Sequence, residues 1–312
     1  MHPTQFSSGD VIADRRADYA RMLADNGEHE AAVELMEQAL EIAPAWTAGL
    51  VRLADYAEKT GAKDKAIAAL RRVLELDAED LFGARLKLAL LGAEDVPEAP
   101  PSAYVEALFD DYADRFDKAL VERLDYTVPG KLAALVAEHH PGRFATTVDL
   151  GCGTGLFGAE IRERTDRLEG FDLSVNMLGK AEDKRLYDLL AKADLSLDVE
   201  ASGLFAAELP PARAELVSAA DVLMYLGDLG NAFLLAAALA APRALFAFSV
   251  EDAGDGDGFL LAPSLRYAHT EAHVRTRLAE SGFEMVTLRR TTIRMDGGKP
   301  ISGILFLASK AA

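Results

Sequence analysis

The chain has 312 residues, half of them hydrophobic, with 33 Lys and Arg against 51 Asp and Glu, a formal net charge of −18. That apolar share offsets the entropy of ordering a chain and excludes a solvating, disordered polymer, and at about 150 residues per domain the length suggests two domains. An acidic excess of this size repels phosphate backbones and anionic headgroups, which leaves nucleic acid and membrane surfaces as poor partners and favours a small or cationic ligand.

The first residues, MHPTQFSSGDVIADRR, lack the charged-then-apolar pattern of a secretory leader, and the longest strongly apolar helix-like run, around Phe233 to Ala241, is too short to span a bilayer. The lone cysteine, Cys152, allows no intrachain disulfide and is compatible with a reducing compartment. The expectation is a soluble, cytoplasmic protein. An internal repeat comes next: ARMLADNGEHEAAVELMEQALEIAP aligns with AEKTGAKDKAIAALRRVLELDAE at an offset of 34, Gly27 on Gly61, Ala32 on Ala66, Leu40 on Leu74, Glu41 on Glu75. This is the tetratricopeptide (TPR) period. Small residues (Ala20, Ala32, Ala39; Ala54, Ala66) let paired helices approach, the glycines punctuate the turns, and Trp46 falls at the junction between units. LFGARLKLALL reads as a fifth, capping helix. The module, residues 1–95, is expected to offer either a protein-binding surface or a dimerisation or lid element.

A Pro-rich linker, 96–102, precedes YVEALFDDYADRFDKALVERLDYTVPGKLAALVAEHHPGR, helical in period and rich in aromatics and acids. From Arg143 strand-like and helix-like runs alternate: ATTVDL, LFGAEIRER, LEGFDL, SVNMLGKAE, a weaker YDLLAKADL, AELVSAAD, LGNAFLLAAALA, RALFAFSVE, TEAHVRTRLAESG. Such alternation implies a parallel sheet covered by helices on both faces. EMVTLRRTTIRM and ISGILFLASK, joined by DGGKP, imply a terminal antiparallel hairpin, seven strands in all. EDAGDGDGF between the fifth strand and its helix reads as a flexible loop and lacks the full calcium-loop pattern; adjacent His139 and His140 point about 100° apart on a helix, so no metal site is expected.

The strongest chemical signal is VDLGCGTGLFG, residues 148–158, between the first strand and its helix. Gly151, Gly153 and Gly155 would let backbone pass close beneath a ligand. A dinucleotide loop needs glycine at the position of Leu156, and a phosphate-binding Walker loop needs Gly-Lys-Ser/Thr; neither is present, which argues against NAD or ATP. Asp172, about 20 residues on at the end of the second strand, is placed where a carboxylate accepts the two hydroxyls of a ribose.

VDLGCGTG, then FDLSVNML, then KADL, then a strand running into ADVLMYLGDL, then the hairpin: in that order the motifs resemble a class I S-adenosylmethionine-dependent methyltransferase over residues 103–312, here joined to TPR repeats as in bacterial proteins of that architecture. The resemblance implies a Rossmann-like sheet, S-adenosylmethionine as cofactor and a helical lid over 103–140. It implies that Asp149 helps hold the methionine end of the cofactor, that Gly151, Cys152, Gly153 and Gly155 line it, and that Asp172 takes the ribose. By the same resemblance Leu173 or Met177 packs near the adenine, Asp194 with Leu195 meets its amino group, Ala220 and Asp221 border the sulfonium and the substrate, and Tyr112 and Phe116 close over the site. Cys152 is also simply a small residue in a tight loop.

Methyl transfer from a sulfonium needs alignment above all, and a base only where the acceptor holds a proton at neutral pH. Candidate bases are His269, whose ordinary pKa is near neutrality, Tyr225, Asp221 and Glu251; Arg266 and Tyr267 would orient an anionic acceptor. Arg289, Arg290 and Arg294 are too few to outweigh the acidic surround. The expected acceptor is a small molecule. Alternatives are a protein acceptor recruited by the repeats, a non-catalytic scaffold that binds the cofactor only structurally, and, more distantly, a nicotinamide oxidoreductase.

Overall fold

The computed structural model describes residues 7–112, 126–296 and 298–311, apart from the side chains of Asp111 and Tyr112. The chain forms two compact units, Met1–Asp111 and Tyr112–Ala312. The first holds helices α1 (Val11–Asp25), α2 (His29–Ile42), α3 (Thr47–Lys59), α4 (Lys63–Leu76), α5 (Ala84–Leu90) and α6 (Ser102–Tyr112). α2 and α4 begin and end 34 residues apart, as the repeat requires. Asp10 caps α1 by accepting the N–H groups of Ile12 and Ala13, and Gly27 (φ +86°) and Gly61 (φ +79°) make the left-handed turns between paired helices. Ala13, Ala17, Ala20 and Ala24 form a fully apolar, buried edge of α1 where it packs on α2. The division falls after Asp111 rather than at the Pro-rich segment: the ring of Tyr104 in α6 lies within 3.0 Å of where a Cβ on Gly83 would stand, so α6 belongs with the repeats.

The second unit begins, among its described elements, with α7 (Val128–His139). It continues through β1 (Phe144–Leu150), α8 (Leu156–Ile161), β2 (Thr165–Asp172), α9 (Val175–Asp183), β3 (Leu189–Lys192), β4 (Ala214–Ala219), α10 (Gly230–Leu239) and β5 (Ala240–Asp252). The last elements are β6 (Phe259–Leu261), β7 (Tyr267–His269), α11 (Glu271–Glu280), β8 (Phe283–Asp296) and β9 (Lys299–Lys310). Parallel strands run β3-β2-β1-β4-β5; β9 then joins β5 antiparallel, with Phe248 opposite Phe306, and β8 pairs with β9. All seven expected strands form. β6 and β7 are additional: part of the expected flexible loop and the segment after it fold into a three-residue antiparallel pair, and β7 extends the end of β5 in parallel. Runs this short carry no readable period, and burial of Tyr267 and His269 is what orders them.

Burial on both faces explains why the central strands read as continuous apolar runs. On one face Val128, Leu132, Leu135 and Val136 of α7 pack with Phe157, Leu168, Leu216 and Leu305. Elsewhere in the core Phe233 of α10 meets Phe246 and Phe248 of β5 edge-on, at ring-centroid distances of 5.3 and 5.0 Å, and Phe248 stacks on Phe306. No helix among the described residues is long and apolar enough to cross a membrane. Because Phe233 is fully buried at the centre of this cluster, Phe233→Ala should lower stability by about 3–5 kcal/mol, read as a lower denaturation midpoint with little change in slope.

Candidate active site

The glycine loop leaves β1 at Leu150 and enters α8 at Leu156, with Gly151, Gly153 and Gly155 at φ +63°, +54° and +87°. These are left-handed conformations that a side chain strains, so backbone geometry alone demands glycine. The protein's own neighbours demand it too. A Cβ on Gly151 would stand 2.3 Å from Val222, and one on Gly155 would stand 2.9 Å from the ring of Tyr187. Tyr187 in fact occupies a seat made of three glycines, since Cβ atoms on Gly158 and Gly170 would stand 2.3 Å from its hydroxyl oxygen and 2.7 Å from its ring.

From that seat the Tyr187 hydroxyl donates to Asp149 Oδ2 at 2.7 Å, and Ser218 of β4 donates to Oδ1 at 2.8 Å. Asp149 is buried beneath the loop, and loss of hydration pushes its pKa up to about 7 even though both hydroxyls favour the carboxylate. Sequence reasoning missed Tyr187 altogether. The available signal was the pair of glycines, Gly158 and Gly170, that no ligand argument required.

Asp172 ends β2 and reaches back to the loop: its Oδ2 accepts the Gly153 N–H at 2.8 Å and its Oδ1 accepts the Ser174 N–H at 2.9 Å, while Ser174 caps α9 through the N–H of Met177. The structure therefore brings Asp149, Cys152, Asp172 and the three glycines together at the C-terminal ends of β1 and β2. Cys152 donates its backbone N–H to Phe171, and burial raises its thiol well above the usual range, so it is an inert small residue in a tight turn. Of the two residues expected beside an adenine, Leu173 is half-buried with surface to offer, whereas Met177, in the first turn of α9, is fully buried. Asp194 follows β3 and turns its Oδ1 onto the N–H and hydroxyl of Ser196, while the carbonyl of Leu195 accepts from Asn231. Asp194 thus closes a local turn, which is the ordinary task of an acid at a strand end. Phe116 and the side chain of Tyr112 lie outside the described residues.

A second polar group sits where β4 and β5 end. Ala220 is half-buried there, and Asp221, at φ +58°, donates its N–H to the Ser249 hydroxyl. Both Asp221 oxygens accept from Nη1 of Arg294, at 3.0 and 3.1 Å, while Nη2 of the same guanidinium donates to Glu251. Arg294 is 2% exposed, and its Nε has no partner. Arg266 hydrogen-bonds the Tyr225 hydroxyl and pairs with Asp296 at 3.2 Å; Tyr225 is buried, which raises its pKa. Tyr126 lies near the same charges, its hydroxyl pushed up by burial and then by Asp221.

This geometry corrects two expectations. His269 is fully buried, and its Nε2 lies 2.8 and 3.1 Å from the carbonyls of Leu226 and Gly227, which makes that nitrogen the proton donor; burial drives the pKa down to about 4. Its remaining nitrogen, Nδ1, is buried without a partner, so the ring pins the segment after β4 and is no proton shuttle. Asp221, held through both oxygens by a guanidinium, is an anchor rather than a base. Tyr225 and Arg266 are held against each other at the same end of the sheet. Arg294, dismissed in the sequence as one of too few arginines, is central to the site.

Residues 120–288, more than half of the chain, match the methyltransferase-domain family, and the chain belongs to that family. Residues 15–45 and 48–80 each match the tetratricopeptide repeat. Among solved structures, the chain is similar to 1,6-didemethyltoxoflavin-N1-methyltransferase of Burkholderia thailandensis, determined with 1,6-didemethyltoxoflavin and S-adenosylhomocysteine. The two share 19% identity over 70% of this chain and 94% of that one, with a TM-score of 0.52. It is similar also to the complex between the Trm112 methyltransferase activator of Haloferax volcanii and a methyltransferase, at 16% identity over 65% of this chain and 98% of that one, TM-score 0.50. At these identities the likeness is one of fold. No curated protein shows a significant match.

Three outcomes are expected. A folded-state pKa of about 7 against 3.8 unfolded means that the native protein holds a proton on Asp149 that the unfolded chain releases, so this group's stabilisation is complete below the unfolded value and is lost as pH rises toward 7. Melting temperatures of Asp149→Asn, without ligand, should therefore fall less than wild type between about pH 5 and about pH 8. Tyr187→Phe, which removes a hydrogen bond to the carboxylate, should extend the wild-type fall to higher pH. Gly158→Ala should cost about 1–3 kcal/mol in denaturant melts, because the added methyl overlaps the Tyr187 hydroxyl.

Proposed function

We propose that the second unit binds S-adenosylmethionine and transfers its methyl group to a small-molecule acceptor at the C-terminal ends of β4 and β5. The observation that carries this reading is Asp172, an acceptor-only carboxylate at the end of β2, tied by the Gly153 N–H to a loop in which Gly151, Gly153 and Gly155 carry no side chain. That arrangement suits a ribose diol beside a backbone that closely follows its ligand. Membership of the methyltransferase-domain family, and a fold neighbour determined with S-adenosylhomocysteine, support the choice of cofactor. Asp172 and Leu173 would hold the nucleoside, with the loop of Gly151, Gly153 and Gly155 beneath the remainder.

S-adenosylmethionine supplies an already activated methyl group on a sulfonium. The chain then has to align the acceptor and exclude water, an effect that contributes about 7–11 kcal/mol to such reactions. With Asp221 committed to Arg294 and the His269 proton committed to carbonyls, we favour an acceptor atom that presents a lone pair without prior deprotonation, such as a neutral amine or ring nitrogen. Tyr225, polarised by Arg266, would orient it. The two repeat matches favour a second reading, a protein acceptor recruited through the first unit.

Calorimetric titration tests the cofactor. S-adenosylmethionine and S-adenosylhomocysteine should bind at micromolar concentration and NAD should not, and Asp172→Ala should weaken binding at least tenfold; binding of NAD alone, or an unchanged affinity in the variant, overturns the assignment. Incubation of extract with methyl-labelled cofactor separates the acceptor readings, with label expected in the small-molecule fraction rather than in protein.

A further inference from the structure

The segment after β3 is held by a residue far from it in the chain. Nδ2 of Asn231, in the first turn of α10, donates to the carbonyls of Leu195 and Leu197 at 3.0 and 2.6 Å. An amide nitrogen carries two hydrogens, so both are spent on this one stretch of backbone. α10 is itself fixed at its start, since the Gly230 N–H meets Asp228 Oδ1 at 2.6 Å and the other Asp228 oxygen pairs with Arg277. The peptide between Leu195 and Ser196 is consequently gripped at both ends. Its carbonyl is on Asn231, and its N–H donates to Asp194 Oδ1 at 2.8 Å, where the Ser196 hydroxyl also donates at 2.6 Å. A planar peptide cannot turn its N–H without turning its carbonyl, so Asn231 opposes any rotation that would release Asp194. On the other side the Asp194 N–H is tied to the Ser202 carbonyl at 2.9 Å. Among the described residues, Asp194 Oδ2 accepts from none and the Leu195 N–H donates to none. The turn therefore uses half of the carboxylate and leaves an acceptor and, one residue on, a donor.

We infer that Asn231 sets the base specificity of the cofactor site, by holding the Asp194 carboxylate and the Leu195 N–H so that together they read the edge of an amino-purine. The inference rests on the reading of the second unit as an S-adenosylmethionine site. Adenine offers an amino donor beside a ring-nitrogen acceptor, the complement of a carboxylate oxygen beside an N–H. Hypoxanthine offers a carbonyl acceptor beside a ring N–H, and so meets each protein group with its like. A site built to hydrogen-bond one pattern rejects the other strongly, because the buried groups are then left unpaired. That rejection requires that the protein groups cannot swing round to suit the wrong base. Asn231 supplies the constraint from 36 residues away, half-buried on a separate element, and is a positioning residue that acts through the Leu195 peptide.

The test is calorimetric titration of the full chain with S-adenosylhomocysteine and with its deaminated counterpart, S-inosylhomocysteine. The wild type should favour the adenine compound by at least about thirtyfold. Asn231→Ala, at a helical position that alanine suits, should leave the circular-dichroism spectrum of the ligand-free protein unchanged. It should cut the ratio of affinities at least about fivefold, with most of the loss on the adenine compound. Asp194→Asn keeps an oxygen for the Ser196 donors and presents an amide donor in place of Oδ2, so it should move the preference toward the inosine compound. In that background Asn231→Ala should change the ratio less than it does in the wild type, since both residues act through the same peptide. An unchanged ratio in Asn231→Ala, a wild type indifferent to the base, or fully additive effects in the double variant would each overturn the inference. A wild type that binds neither compound would instead strike the cofactor reading itself, and the inference with it.

Discussion

The second unit is organised around one buried contact, the Tyr187 hydroxyl on Asp149. Through it the segment before β3 is tied to the end of β1, and Ser218 extends the tie to β4. The ring can take that position only because Gly155, Gly158 and Gly170 have no side chains there. Two of these glycines lie in the loop and in α8, and the third is in β2. The floor beneath the glycine loop is therefore an aromatic ring wedged among four successive elements, and the loop's shape is set from below before any ligand lies on it. This is preorganisation in the strict sense: the conformational cost of shaping the loop is met at folding rather than at binding.

The ends of β4 and β5 are organised by charge instead. Arg294 gathers Asp221 and Glu251, two carboxylates that would otherwise be buried side by side with like sign. A buried ion cluster of this kind contributes little net stability, because desolvation consumes most of the attraction, but removal of its cation leaves charges with no partner. The overall excess of acid over base in the chain says nothing about this region, where one arginine pairs with both acids.

Much of this was legible in the sequence, for reasons that can be named. The repeat was readable because helix pairs of equal length recur at a fixed interval, and the sheet because its inner strands are apolar on both faces. The glycine loop and Asp172 were readable because their spacing is set by one strand, one turn and one helix. What could not be read depends on contacts between distant residues: Tyr187 lies 38 residues from Asp149, and Arg294 lies 73 from Asp221. His269 was misjudged because an imidazole's ordinary pKa says nothing about burial, and here burial both neutralises the ring and commits its proton. The end of the first unit was set too early because proline marks a break in local structure, whereas Tyr104 packs back across it.

Arg294 also has a consequence for how the chain becomes a protein. During synthesis Asp221 and Glu251 emerge 73 and 43 residues before the guanidinium that neutralises them. At about 5–20 residues per second that interval lasts several seconds, during which the ends of β4 and β5 cannot close without burying unpaired acids. The β1–β3 half of the sheet is free to fold as it is made, since Asp149, Asp172 and Tyr187 all lie upstream. The ends of β4 and β5 have to wait for the hairpin, so this end of the sheet matures in the order of translation.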